Sequence, residues 1–380
     1  MPKEISHIFN ALEVLAALQK KRSIDIENAE LIKKNLKSFA FGSIAPDILY
    51  YDVFGVFKKK LFGLPWAKAI HGVNEEDTMA HLIAMARIIK NHKDYKNAFY
   101  PMRIDKEILD LWIAFAMGYL THAAVDIIVH PVIYYHSGDF ESRDKKIYKR
   151  AITIHRVIET VLDLFVLEKK GLNLNTFNVI KKISLNKKEK IYLFGFFALS
   201  LRMAYGLGTY PFEIKSSLIK YEKNIFQDAI YKTLLRSYKK QMGSLRFMRN
   251  RFFSKFAIFI NGKSDRFSHF SSLFYPAASY NQYTKKKNSL KIEDFRDYRD
   301  AFTGAKKNGS FEYLLKKSIA YSTRLCRAFG LAVNGKKSLS ELKKILKGDS
   351  LATGRKDFHK QVKMGHEKPL NINGCFKLND

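Results

Sequence analysis

Cysteine is nearly absent. Only Cys326 and Cys375 occur in 380 residues, which excludes a disulfide framework and a thiolate zinc site and leaves any metal to nitrogen and oxygen ligands. Proline numbers 8 and glycine 20, too few for long Pro- or Gly-rich disordered stretches. No apolar run looks long enough to span a membrane; the nearest, Ile191 to Leu201, stops at Arg202. The N-terminus, Met-Pro-Lys-Glu-Ile-Ser-His, lacks the apolar core of a signal peptide, so a cytoplasmic location is expected. A Gly-rich phosphate loop, a Gly-x-Ser-x-Gly element and internal repeats are all missing.

Acids are the last deficit, and it is local. Residues 1 to 170 hold 25 Lys and Arg against 21 Asp and Glu, whereas residues 171 to 380 hold 42 against 15. Nearly all of the net charge of +31 therefore lies in the second half. A field of that sign attracts polyanions, either an anionic membrane surface or nucleic acid. A solubilising Lys-rich surface has the same composition.

What is present is apolar and aromatic. Hydrophobic residues make up 47% and aromatics 14%, enough for a large core in one or two domains. The richest stretch, Leu111 to Pro131, reads as one buried helix, with Pro131 expected to end it. It carries His122, Asp126 and His130 at i, i+4 and i+8, a spacing that keeps all three on one narrow stripe. The helical rise of about 1.5 Å per residue separates the two histidines by roughly 12 Å. One ion cannot reach both, but a cluster of two or three can, with Asp126 bridging through its two oxygens. Hydrogen-bonded polar residues in a core are the competing explanation.

Around this helix lie further candidates. Residues 5 to 18 follow an amphipathic pattern that includes His7, and Asn28 to Leu36 extends or follows it as a second helix. Ala45-Pro46-Asp47 punctuates an apolar segment, where Asp47 can point inward or cap the next helix. His71 precedes Gly72 in a turn, and Asp77 and His81 form an i, i+4 pair opening a helix to about Asn91. Asp77 fits an ordinary N-terminal helix acid, and either histidine can serve as a ligand. His136 to Arg150 reads as a polar loop. The helix after it, from about Ala151, carries His155 and Glu159 one turn apart with Asp163 a further step along. A His and a carboxylate at that spacing can chelate one ion or simply pair.

Beyond residue 171 the sequence turns basic and aromatic. Leu172 to Asn186 reads as a loop with a short helix, followed by apolar Lys190 to Tyr205 and amphipathic Lys220 to Met248 and Phe311 to Arg327. Phe252, Phe253 and Phe256 to Phe259 interleave with cations, a pattern that suits stacking on bases, insertion beneath lipid headgroups, or a helical core with snorkelling Lys and Arg. Ser338 to Lys347 is a last short helix. His269, His359 and His366 have no neighbours at ligand spacing.

In this order, His7, Ala-Pro-Asp47, His71, His122-x3-Asp126-x3-His130-Pro and His155-x3-Glu159, the sequence over about residues 1 to 165 resembles the zinc-dependent phospholipase C family. That family is all-helical, and its relatives include single-strand nucleases with a similar trinuclear zinc site. The resemblance implies that Asp47, His71, His122 and Asp126 ligate a first zinc, His130, His155 and Glu159 a second, and His7 with bridging Asp126 a third. It also favours His71 over His81. In the family an N-terminal tryptophan completes the third site, and no counterpart of it precedes His7 here.

The expected fold is therefore all-α. A multi-helix bundle with a buried multinuclear zinc site spans residues 1 to 170. A basic, aromatic-rich helical region follows over 171 to 347, and 348 to 380 form a polar, mobile tail. The expected activity is phospholipase C-like hydrolysis of phospholipid or a related phosphodiester with two or three zinc ions, Asp47 doubling as general base. The basic half would hold the enzyme peripherally at the inner membrane face without a transmembrane span. One alternative is a zinc-dependent single-strand nuclease acting on nucleic acid. Another, which the missing tryptophan supports, is a non-catalytic zinc-stabilised protein that binds a polyanion.

Overall fold

The computed structural model describes residues 4–20, 23–54, 63–73, 76–139, 144–206, 224–250, 272–275, 291–300 and 303–354, with isolated positions besides. The helices are α1 (Glu4–Gln19), α2 (Ser23–Lys34), α3 (Leu36–Gly42), α4 (Gly63–Ile70), α5 (Ala80–Lys90), α6 (Lys106–Ser137) and α7 (Lys145–Lys169), then α8 (Val179–Ile183), α9 (Lys187–Tyr205), α10 (Ala229–Met248), α11 (Phe311–Val333) and α12 (Leu339–Ile345). A 3₁₀ segment, Ala45–Phe54, connects α3 towards α4. The all-α expectation holds, with one exception among the described residues. The short strands β1 (Asp297–Arg299) and β2 (Lys306–Asn308) form an antiparallel pair with Tyr298 opposite Lys307.

The axis of the bundle is α6. Asp105 starts it by accepting a hydrogen bond from the Ile108 amide at 2.9 Å, and Gly138, with φ of 84°, ends it. Between them the helix is apolar on every side, the pattern of an element surrounded by others. It packs against α1, α3, α5, α7, α9 and α11. By length and composition α6 could cross a membrane, which corrects the reading that Ile191 to Leu201 came nearest. However, 89% of its most apolar window is buried inside the protein, as in the core helix of a soluble bundle. Trp112 stacks on Phe196 of α9, rings 4.7 Å apart, and its indole N–H donates to the Tyr192 carbonyl.

Pro131 lies inside α6 rather than at its end. Proline lacks the N–H that the Ile127 carbonyl would accept in a regular helix. Gly354 packs closely on that carbonyl, so tertiary packing carries the helix through to Ser137. The expected loop at 136 to 150 shrinks accordingly, since α7 begins at Lys145 with Asp144 as its cap.

Where α3 crosses α6, Gly42 and Gly118 bring the two backbones into contact. Beside that crossing, Ser38 donates to the Leu111 carbonyl at 2.9 Å. The basic region shares this core. On α11, Ser318 and Ser322 hydrogen-bond buried Asn10 of α1, and Arg327 pairs with buried Asp25 of α2. Residues 350 to 353, expected in a mobile tail, are at most 3% exposed; with Asp349 they are tied to the turn after α4, to Thr78 before α5 and to α6 by hydrogen bonds to their backbone that composition does not reveal. The remainder of the expected tail, 355–369 and 371–380, lies outside the described residues, as do His269, His359, His366 and Cys375.

Candidate metal centre

Eight chemistry-bearing side chains from five elements converge at the middle of α6. His7 comes from the second turn of α1, Asp47 from the 3₁₀ segment and His71 from the turn after α4. His122, Asp126 and His130 come from α6, and His155 and Glu159 from α7. None is more than 6% exposed. Their ligand atoms fall into three groups that could each hold an ion: His71 with His122 and Asp126; His130 with His155 and Glu159; and His7 with Asp47 and His122.

Asp126 is the hub. One of its oxygens lies 2.9 Å from His122 Nε2, and the other lies 3.5 Å from both His7 Nε2 and His130 Nε2. Asp47 offers one oxygen to His71 Nε2 at 3.1 Å and the other to His122 Nε2 at 3.6 Å. Glu159 reaches His155 Nε2 at 2.9 Å and His130 Nε2 at 3.9 Å. The ring of His7 stacks on that of His122, with centroids 4.1 Å apart.

The outer nitrogens of three rings are already committed. His71 Nδ1 donates to the Ala67 carbonyl, His122 Nδ1 to the Ser43 carbonyl and His130 Nδ1 to the Leu351 carbonyl. A carbonyl only accepts, so the proton of each neutral ring is on Nδ1 and the Nε2 lone pair points inward. Those lone pairs face carboxylate oxygens. Two acceptors at such distances repel unless a proton or a metal cation lies between them. His122 Nε2 and the nearer Asp126 oxygen are buried 2.9 Å apart, a separation that either a proton on the ring or a metal ion can bridge. The donor set of histidine and carboxylate, with outer nitrogens fixed by backbone, fits a zinc-type ion.

With no ion bound, protonation of the rings would take the cation's place. Burial and the neighbouring His122 push His7 down to about 4. Burial opposes protonation of His122 as well, but Asp126 and Asp47 outweigh it and raise the ring to about 9. His130 is raised by Asp126 and Glu159 against its burial, whereas burial lowers His155. Asp126 and Glu159 stay well below the usual carboxylate range, because the surrounding histidines overcome desolvation.

The first turn of α1 needs outside support, since its N–H groups have no intrahelical partners. Asp163 of α7 supplies it, accepting from the Ile5 amide at 3.2 Å and from the Ser6 amide at 2.8 Å. Asp163 also accepts from the Tyr275 hydroxyl at 2.6 Å. The helix that carries Glu159 therefore holds the helix that carries His7. A cavity of about 20 Å³ adjoins His7, Asp126, His130 and Glu159, walled by Val129 and Leu315; it has room for about one water.

Other candidates lie apart. His81 is buried against Phe197, bonds Ser200 Oγ at 2.7 Å and is pushed down to about 3 by burial. Asp77 accepts from the Met79 amide near the start of α5. Sequence reasoning did not find the carbonyl acceptors at Ser43, Ala67 and Leu351, because a backbone oxygen has no residue signature. Asp163 was visible as a further acid on the stripe of α7, but its partner, the end of α1, was not.

A family model described as zinc dependent phospholipase C matches residues 1–203. No curated protein and no solved structure is significantly similar to the chain.

Proposed function

The chain belongs to the zinc-dependent phospholipase C family, and from that membership we propose that it is a phosphodiester hydrolase acting on phospholipid, with two or three zinc ions at the centre described above. The observation that supports this reading best is the inward convergence of the His71, His122 and His130 Nε2 atoms on Asp47, Asp126 and Glu159, with each Nδ1 tied to a backbone carbonyl. In this reading Asp47, His71, His122 and Asp126 serve one ion, His130, His155 and Glu159 another, and His7 with Asp126 a third. Zinc held there would offset the charge of a phosphodiester and bring the pKa of a bound water to about 7. Asp47 takes the proton of the attacking water. Burial of all eight side chains keeps bulk solvent from screening these interactions.

The membrane contact is assigned to α10. This helix carries Lys232, Arg236, Lys239, Lys240 and Arg246 and no acid. Lys232, Lys239 and Arg246 are exposed along one face, which ends in exposed Phe247, whereas Arg236 is paired with Asp52. The helix packs against the 3₁₀ segment that contributes Asp47, where Arg236 and Lys240 bond Asp52. Cations suit anionic headgroups, and a terminal aromatic suits the layer beneath them.

The test is zinc per chain in protein purified without added metal, followed by assay on phospholipid vesicles. Two or three ions, and release of phosphorylated headgroup that stops with a chelator, are expected. Zinc with cleavage of single-stranded oligonucleotides instead would favour the nuclease. Less than one zinc and no turnover would leave a basic binding protein.

A further inference from the structure

The family match ends at residue 203, yet part of the metal centre is supplied from almost 150 residues further on. Leu351 is fully buried, and its peptide groups touch two candidate ligands at once. Its N–H donates to the His71 carbonyl at 3.0 Å, and its carbonyl accepts from His130 Nδ1. His71 and His130 belong to different ion groups.

The neighbours of Leu351 hold it there. Ser350 Oγ donates to the same His71 carbonyl at 3.0 Å and accepts from the Ala352 amide. Thr78 donates to the Asp349 carbonyl at 2.7 Å. Both ends turn on glycines in the left-handed region, Gly348 with φ of 65° and Gly354 with φ of 70°. Space is short at both ends, most firmly at Gly354, where the nearest atom is backbone. A Cβ on Gly348 would lie 2.4 Å from Asp77 Oδ1, and one on Gly354 would lie 2.4 Å from the Ile127 carbonyl oxygen and 2.9 Å from Pro131 Cγ. Pro131 follows His130 directly, so the segment is seated on the part of α6 that carries this ligand.

We propose that residues 348–354 are a clasp that completes the metal centre: Leu351 orients His130 and couples it to the His71 turn, so that divalent cations are held tightly only when this C-terminal segment is seated. The inference rests on the metal-centre reading. Leu351 acts through the ligands and is a positioning residue. Fixing the outer nitrogen of a ligating histidine sets its tautomer and ring direction, and loss of such a partner typically weakens metal binding roughly 10–100-fold.

A pair of glycines provides the test. Gly335 also has a positive φ, 75°, but a Cβ there would meet nothing within 4 Å. Gly354→Ala and Gly335→Ala thus carry similar backbone strain, and only the first displaces the clasp. Zinc affinity of each full-length variant would be measured by competition with a chromophoric chelator, together with the visible spectrum of the cobalt-substituted protein. Gly354→Ala should bind zinc about 10–100-fold more weakly and change the cobalt bands, while Gly335→Ala matches the wild type. Equal affinities and spectra for the two variants would overturn the clasp. Should Gly354→Ala fail to fold, Ser350→Ala removes one hydroxyl from the His71 carbonyl, and unchanged zinc affinity there would count against the proposal equally. Wild-type protein that takes up no zinc would instead overturn the metal-centre reading itself.

Discussion

Gly42 and Gly118 meet backbone to backbone. A Cβ added to Gly42 would lie 2.2 Å from the Phe115 carbonyl oxygen, and one added to Gly118 would lie 2.0 Å from that of Phe39. One residue beyond Gly42, the Ser43 carbonyl receives the Nδ1 proton of His122, which is one turn along α6 from Gly118. The helix crossing therefore sets the direction of a ligand candidate.

Gly118→Ala must push α3 and α6 apart. Overpacking of this kind costs roughly 1–3 kcal/mol, and zinc affinity should fall with it because His122 loses its Ser43 partner. Urea unfolding and zinc competition check both effects. Gly243→Ala is the control, as a Cβ there meets nothing within 4 Å; at this helix position alanine should stabilise by up to about 1 kcal/mol.

Asp126→Asn keeps the volume of the hub and removes its charge. The variant should lose most bound zinc, beyond the roughly 10–100-fold expected from loss of an outer partner, and lose hydrolysis with it. Elemental analysis of Asp126→Asn with wild-type zinc content would sink the bridging role.

Chelation should destabilise the fold itself. Without a metal cation, the buried Asp47, Asp126 and Glu159 depend on protonated histidines for compensation. An ion that binds only the folded chain, at 100 to 1,000 times its Kd, contributes about 3–4 kcal/mol. Calorimetry with and without a zinc chelator should show a lower Tm, restored by added zinc. A Tm indifferent to both would argue against the site.

His81 provides a pH test away from the candidate metal centre. Burial holds its pKa at about 3, against an ordinary 6.5. Below pH 6.5 the unfolded chain binds the proton and the folded chain does not, so stability falls as pH drops from 6.5 toward 3. The slope is roughly 1.4 kcal/mol per pH unit for this one group. His81→Gln should remove that slope, and the advantage of the wild type over the variant should shrink with acid. Denaturant titrations at pH 7, 5.5 and 4.5 check this; parallel curves would refute it.

Lys232, Lys239 and Arg246 form the exposed face of α10 assigned to the membrane. At about 1 kcal/mol per cation near an anionic bilayer, replacing all three by Ala should weaken binding to phosphatidylserine vesicles on the order of 100-fold. Cosedimentation at low and high salt measures it, and undiminished binding would place the contact elsewhere.

The helical class was legible because α7 and α11 repeat their apolar residues with a helical period and α6 is one long apolar run. The ligand candidates were legible for a related reason. His122, Asp126 and His130 share one stripe of a helix, and His155 and Glu159 share another, so spacing alone groups them. Choosing His71 over His81 needed the family resemblance, because both stand near acids in sequence. Their environments differ only in three dimensions, one facing Asp47 and the other Ser200 and Phe197. The passage of α6 through Pro131 and the burial of residues 350–353 share one cause that sequence cannot display. A distant glycine segment fits against a proline turn, and both ends of that contact look locally like breaks.

Since His122, Asp126 and His130 grow from one continuous helix, α6 is a ruler with graduations roughly 6 Å apart. The backbone bonds that fix its markings cannot stretch to suit a different ion. A larger cation would have to be accommodated by the candidate side chains outside α6, those of α1, the 3₁₀ segment, the turn after α4 and α7. By the same geometry, one residue inserted between Asp126 and His130 would swing the last ligand by about 100° around the helix and separate the two ends of the centre, even with every side chain retained.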